Sequence, residues 1–135
     1  MSYVISASLQ SAVFTAISND AAVTGLVGSA IFDALPAGTL PALYVSLGPE
    51  TVLDASDMDG DGALHKFDIS VVTTDQGFQS AKEVGAAICD VLVDADLPLA
   101  RGTLVSLGFD RAVALREENG TVRRINLTFR ARVEA

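Results

Sequence analysis

The opening residues set Ile5, Leu9, Ala12, Val13, Ala16 and Ile17 at spacings of three and four, the apolar stripe of an amphipathic helix from Ser2 to Asn19. Asn19 and Asp20 break it. Asp20 can cap a short second helix, Ala21 to Leu26, which Gly28 ends by accepting a left-handed backbone. The period then changes from 3.6 to 2. Ile31 to Leu35 predicts a short strand, and Pro36, Gly38 and Pro41 a surface loop, because neither proline can donate to a sheet ladder. Leu43, Val45 and Leu47 alternate with Tyr44, Ser46 and Gly48 as in a half-buried strand. After the polar stretch Ser56 to Gly62, Phe67, Ile69 and Val71 share one face, and Lys66, Asp68 and Ser70 the other. Two antiparallel strands thus flank an acidic loop. A second main helix, about Gln76 to Asp94 with Asp75 as N-cap, turns Ala81, Val84, Gly85, Ile88, Val91 and Leu92 inward, and Pro98 stops any continuation.

The last third reads as a β-hairpin, and its two strands must agree on which face is buried. A two-residue Asn119-Gly120 turn would set Leu115 opposite Arg124 and Ala112 opposite Leu127, mixing wet and buried faces. A three-residue loop, Glu118-Asn119-Gly120, instead pairs Val113 with Ile125, Phe109 with Phe129, Leu107 with Ala131 and Val105 with Val133. The reverse face then carries Arg124, Asn126, Thr128, Arg130 and Arg132 beside Ser106, Gly108, Asp110, Ala112 and Ala114. The expected fold is α/β of the α+β type: one domain over residues 1–135, with a mostly antiparallel twisted sheet of about five strands and two main helices on one face.

Charge changes this picture. Seven of the nine basic residues, all arginine, fall in the last 35 positions, where they meet four carboxylates; the first 100 residues hold Lys66 and Lys82 against thirteen. The net charge of −8 argues against general nucleic-acid affinity but not against a local basic surface. No apolar run approaches the roughly 20 residues needed to cross a bilayer. The N-terminus lacks the pattern of a signal peptide, so a soluble protein made in the cytoplasm is expected. The lone Cys89 reads as a packing residue, and one histidine cannot support a Cys/His zinc site.

The arginine row allows three readings. It is a solvated sheet face, with Arg130 reaching diagonally to Asp110; or it docks on an acidic surface of a neighbouring copy; or it faces nucleic acid, contacting phosphates only. A head-to-tail contact between copies is heterologous and closes into a ring where the rotation permits. Candidate interface or lumen residues are therefore Arg124, Arg130, Arg132 and Asp110. The other marked segment is Asp57-Met58-Asp59-Gly60-Asp61-Gly62, followed by Asp68, whose carboxylates match calcium-loop positions 1, 3, 5 and 12. Its flanks are not helices and position 12 is Asp rather than Glu, so the main reading is an acidic hairpin tip, with Asp57, Asp59 and Asp61 as contact candidates. No phosphate loop, nucleophile elbow or metal helix occurs, His65 shares the parity of Phe67 and Ile69 as a core or rim histidine would, and no enzyme is expected. No cofactor is expected either.

The opening helix, Leu26-Val27-Gly28 leading to Ile31-Phe32-Asp33, and Pro41-Ala42-Leu43-Tyr44-Val45-Ser46-Leu47-Gly48 resemble the tail-completion, or tail-terminator, family of long-tailed phages. So do Val71-Val72-Thr73, the helix with Ala81-Lys82, Asp94-Ala95-Asp96-Leu97-Pro98-Leu99 and the closing Ile125-Asn126-Leu127-Thr128-Phe129-Arg130-Ala131-Arg132-Val133. The version in gene transfer agents, phage-like particles encoded in bacterial chromosomes, is the nearest. The resemblance implies a small subunit that forms a hexameric ring on the head-proximal end of the tail tube. That ring ends polymerisation, offers a surface to the head connector or neck protein, and lets DNA through its lumen without sequence recognition. It also implies assembly in the bacterial cytoplasm, then residence in the particle's tail. A head-side neck protein of the same particle and, more remotely, a calcium-binding module are the alternatives.

Overall fold

The computed structural model describes residues 3–58 and 60–135. Helix α1 (Ser6–Ser18) buries Leu9, Val13 and Ile17, with Ile5 fully buried just before it. The expected start at Ser2 lies outside the described residues. Asp20 accepts a hydrogen bond from the Val23 amide (3.0 Å) and so caps α2 (Ala21–Val27), which Gly28 closes at φ 61°. Strand β1 (Ile31–Phe32) is shorter than the alternation suggests. The chain leaves the sheet at Asp33, whose carboxylate accepts from Gln10 (3.0 Å), and Leu35 is exposed.

Strands β2 (Leu43–Asp54), β3 (Gly62–Thr73), β4 (Thr103–Glu117) and β5 (Val122–Glu134) complete a five-stranded sheet in the order β1-β2-β3-β5-β4. Every neighbouring pair is antiparallel except β1 and β2, which run parallel. Helix α3 (Gln79–Leu92) begins later than its pattern suggests. Asp75 is not its cap: the Asp75 amide donates to Thr73 Oγ1 (3.0 Å), its carboxylate accepts from Ser80 (2.7 Å), and Phe78 occupies the cap position. Asp75 thereby shapes the loop instead. Ala81, Val84, Gly85, Ile88 and Leu92 are buried as expected, Gly85 passing over the Leu127 methyls, while Val91 is only partly covered.

The helices cover one face of the sheet. Val45, Ile69, Val71, Ile125, Leu127, Phe129, Ala131 and Val133 point into this layer with the helix stripes, forming one core. Tyr44, expected on the wet side of β2, is buried on the other face, its ring 6.1 Å from that of Phe32.

The hairpin departs from its expected register. Phe109 does face Phe129 and Leu107 faces Ala131, but Val113 lies opposite Asn126 and Leu104, not Val105, opposite Val133. Near the turn Leu115 faces Arg124 and Ala112 faces Leu127, the pairing that the alternation disfavoured. Two irregularities reconcile these facts, one between Phe109 and Arg111 and one between Leu104 and Ser106. Each inserts a residue into β4 and flips the facing of everything beyond it. Ala112 and Ala114 therefore lie on the helix face, and Val113 and Leu115 beside the arginines. A 3₁₀ turn, Glu118–Gly120, with Glu118 and Asn119 at positive φ, joins the strands.

Candidate functional site

Because the helices occupy one face, the alternating polar residues of β3 and β5 line up on the other. Register places Asp68 beside Thr128 and Ser70 beside Asn126, and both pairs bond at 2.7 Å: Thr128 donates to Asp68 and Ser70 to Asn126. The next rung places Lys66 opposite Arg130, a like-charge pair that alone would repel. Asp110, the extra residue of the β4 bulge, resolves it, with one oxygen 3.0 Å from Arg130 and the other 3.6 Å from Lys66. Gly108 lies alongside, where a Cβ would make only an ordinary 3.6 Å contact with the Arg130 guanidinium.

Arg132 donates to the Ala55 carbonyl (3.1 Å) and lies 3.7 Å from Asp57, so the acidic loop meets the arginine row within one chain. Arg124 bonds Glu117 (3.0 Å). The predicted row thus exists on one face, and Arg124, Arg130 and Arg132 each have a carboxylate. At this exposure such pairs contribute at most about 1 kcal/mol each.

Of the calcium-loop positions, Asp59 lies outside the described residues. Asp68 sits well into β3, committed to Thr128. No group of three or more His, Cys, Asp or Glu arranged for a cation occurs among the described residues. Asp54, at the loop's entrance, accepts from the hydroxyl and amide of Ser56, which hold its carboxyl down to about 2.

Three features escaped the sequence reading. His65 is fully buried with Nδ1 3.0 Å from Glu50, whose second oxygen accepts from Ser6 (2.6 Å). The three residues lie far apart in sequence, so no local spacing announces the cluster. Its order is wrong for nucleophilic catalysis: the serine is bonded to the carboxylate instead of the imidazole, and His65 Nε2 is buried without a partner among the described residues. Burial acts to raise the Glu50 pKa, but hydrogen bonds from Ser6, His65 and Tyr3 outweigh it and hold the carboxyl below its ordinary 4.5. The ionised form is therefore the one the fold favours. Its contribution is complete above about pH 4.5 and is lost as pH falls through the lower folded-state value. Glu50→Gln is expected to cost about 1–2 kcal/mol at pH 7 and to flatten the fall in stability below pH 4.5; urea melts of both proteins from pH 3 to 7, about the range in which carboxylates titrate, check this.

The second unforeseen feature is a pair of cations on the Phe78 ring, with Lys82 Nζ 5.9 Å and the Arg123 guanidinium 5.7 Å from its centroid, Arg123 also donating to the Asp75 carbonyl (2.8 Å). The third is an apolar trough beside β4. Gly85, Ala86 and Cys89 of α3 form one wall, Ala112 and Ala114 the other, with Ile125 and Leu127 as floor. Cys89 is half-covered there, and burial, together with Asp90, pushes its thiol pKa up, away from reactivity.

Comparison with known proteins assigns this architecture. The family described as tail completion protein gp17 matches residues 11–134. No curated protein matches the chain. Among solved structures, a chain from the virion of a native gene transfer agent particle shares 54% identity, superposes with a TM-score of 0.95, and is covered in full while covering 99% of this chain. A match over the whole described fold, at an identity too high for shared architecture alone, establishes that the chain belongs to the tail completion protein gp17 family.

Proposed function

We propose that this protein is a structural subunit of a phage-like tail that forms a ring, six copies in the family's usual arrangement, on the head-proximal end of the tail tube. The ring ends tube polymerisation and presents a surface to the head connector, with DNA passing through its lumen by phosphate contact alone. The observation that carries this reading is the full-length match, at 54% identity, to a chain of a gene transfer agent virion. The Ser6–Glu50–His65 cluster supports a structural role, because its carboxylate lies between the serine and the imidazole, the reverse of a nucleophile–histidine–acid order. In this reading the arginine row enters the assembly as ion-paired units, Asp110 between Lys66 and Arg130 and Asp57 beside Arg132, rather than as bare cations.

The test is tube length. Purified tail tube protein is polymerised with and without this chain and measured by electron microscopy. A length distribution cut short in proportion to added protein, with one extra density at one end of each tube, is the expected result. Unchanged lengths with the protein free in solution would overturn it, and density found on the head portal instead would favour the neck assignment.

A further inference from the structure

Residues 1–65 contain no lysine or arginine. They build α1, α2, β1, β2 and the opening of β3, so the β1–β2 end of the sheet carries carboxylates such as Asp33 and contributes no lysine or arginine. All seven arginines lie at the other end, on or beside β4 and β5. Four of those, on β5, are engaged within the chain through Glu117, Asp110, Asp57 and the Asp75 carbonyl. Arg101, Arg111 and Arg116 are exposed, and their side chains make no hydrogen bond or ion pair among the described residues. The sheet is polarised along its width, with uncompensated positive charge at one edge.

That edge is also unfinished. β4 is a terminal strand of 15 residues whose outward backbone groups have no partner strand among the described residues, and long bare edges of this kind are templates for another chain. Beside it lies the apolar trough, with Phe109, 44% exposed, on its lining, and Val105, 50% exposed, further along the same strand. The opposite edge is bare too, because β1 covers only Val45 and Ser46 of β2. Three successive antiparallel pairings make β2 and β4 run in opposite directions. Rotation about an axis along the strands preserves direction, so a β4 brought against the next copy's β2 meets it antiparallel. Pairing β4 with another β4 would set Arg111 and Arg116 against their own kind.

We infer that the β4 edge and its trough receive the β1–β2 end of a second copy of this chain, head to tail, with Arg111 and Arg116 facing that copy's acidic end. The inference rests on the ring reading above and specifies its subunit contact. Charge exchange tests it. Arg111→Glu with Arg116→Glu reverses one end, Asp33→Lys with Thr39→Lys, the latter exposed on the loop between β1 and β2, reverses the other, and a third protein carries all four changes. Circular dichroism and melting temperature confirm folding, and assembly is scored by sedimentation velocity in solution and by occupancy of tube ends. Each pair alone is expected to lower the assembled fraction at least tenfold, and the fourfold variant to recover it. Either pair assembling like the parent, or a folded fourfold variant that stays dissociated, would overturn the contact, as would a parent that assembles neither in solution nor on tubes. If all variants cap tubes equally, the contact is wrong and the ring stands. If the charge-exchange pattern holds but tube length does not change, the contact stands and the terminator reading falls.

Discussion

Phe129→Ala is expected to remove about 3–5 kcal/mol, a large share of the stability of a domain this size. Phe129 is fully buried on β5, where the two longest strand pairings meet: Phe67 faces it from β3 with rings 5.8 Å apart and stacked, and Phe109 from β4 at 6.2 Å, edge on. Truncation opens a ring-sized cavity in the middle strand of that row and loses both aromatic contacts, with strands on each side that cannot collapse to fill it. Phe109 is 44% exposed, and the same change there is expected to cost less than half as much. Urea denaturation of the two variants measures the difference directly. Equal losses would mean that the row is not centred on Phe129.

Gly102→Ala is expected to destabilise by about 3 kcal/mol, the sum of two costs that glycine avoids. Its φ of +78° lies where a Cβ meets the following carbonyl, which costs about 1–2 kcal/mol in any surroundings. Here a Cβ would also fall 2.7 Å from the Glu134 carbonyl and against the side chain of Ile5, which is fully buried. Neither neighbour is a flexible end that can swing aside. Gly120→Ala provides the contrast: its φ is +86°, but nothing lies within 4 Å of a Cβ there. Only the backbone cost applies, so its thermal shift should be about half or less. Matching shifts would show that the Ile5 contact carries no weight.

The elements with a strong period were legible from the chain alone. The stripe Leu9, Val13, Ile17 and the facing pairs Phe109–Phe129 and Leu107–Ala131 lie where alternation places them. What failed was phase. A bulge shows no mark in composition, and the alanines at 112 and 114 sit as easily on a wet face as a dry one, so nothing signalled that β4 changes facing at Asp110. Val113 and Leu115 then favoured the wrong side. The α3 boundary moved because Asp75 had competing partners in Thr73 and Ser80, which no helix rule counts. The arginine row was placed on the correct face, and its diagonal from Arg130 to Asp110 is present at 3.0 Å. The compensation of Arg132 by Asp57 depends on two segments 75 residues apart, which only the folded sheet brings together.

The sheet order also dictates when the molecule can form. The strand between β3 and β4 is β5, the last of the five to be synthesised. A nascent chain that has produced everything through the 3₁₀ turn holds a β3 with one neighbour and a β4 with none. The sheet is completed in a single late event that inserts Val122–Glu134 between two waiting strands and neutralises Asp110, Glu117 and Asp57 in the same step. Such non-local closure is slow compared with helix formation. Ribosome-bound fragments ending before Val122 should therefore remain protease-sensitive, and the β4 edge proposed above for the subunit contact would have no sheet behind it until Val122–Glu134 has been made.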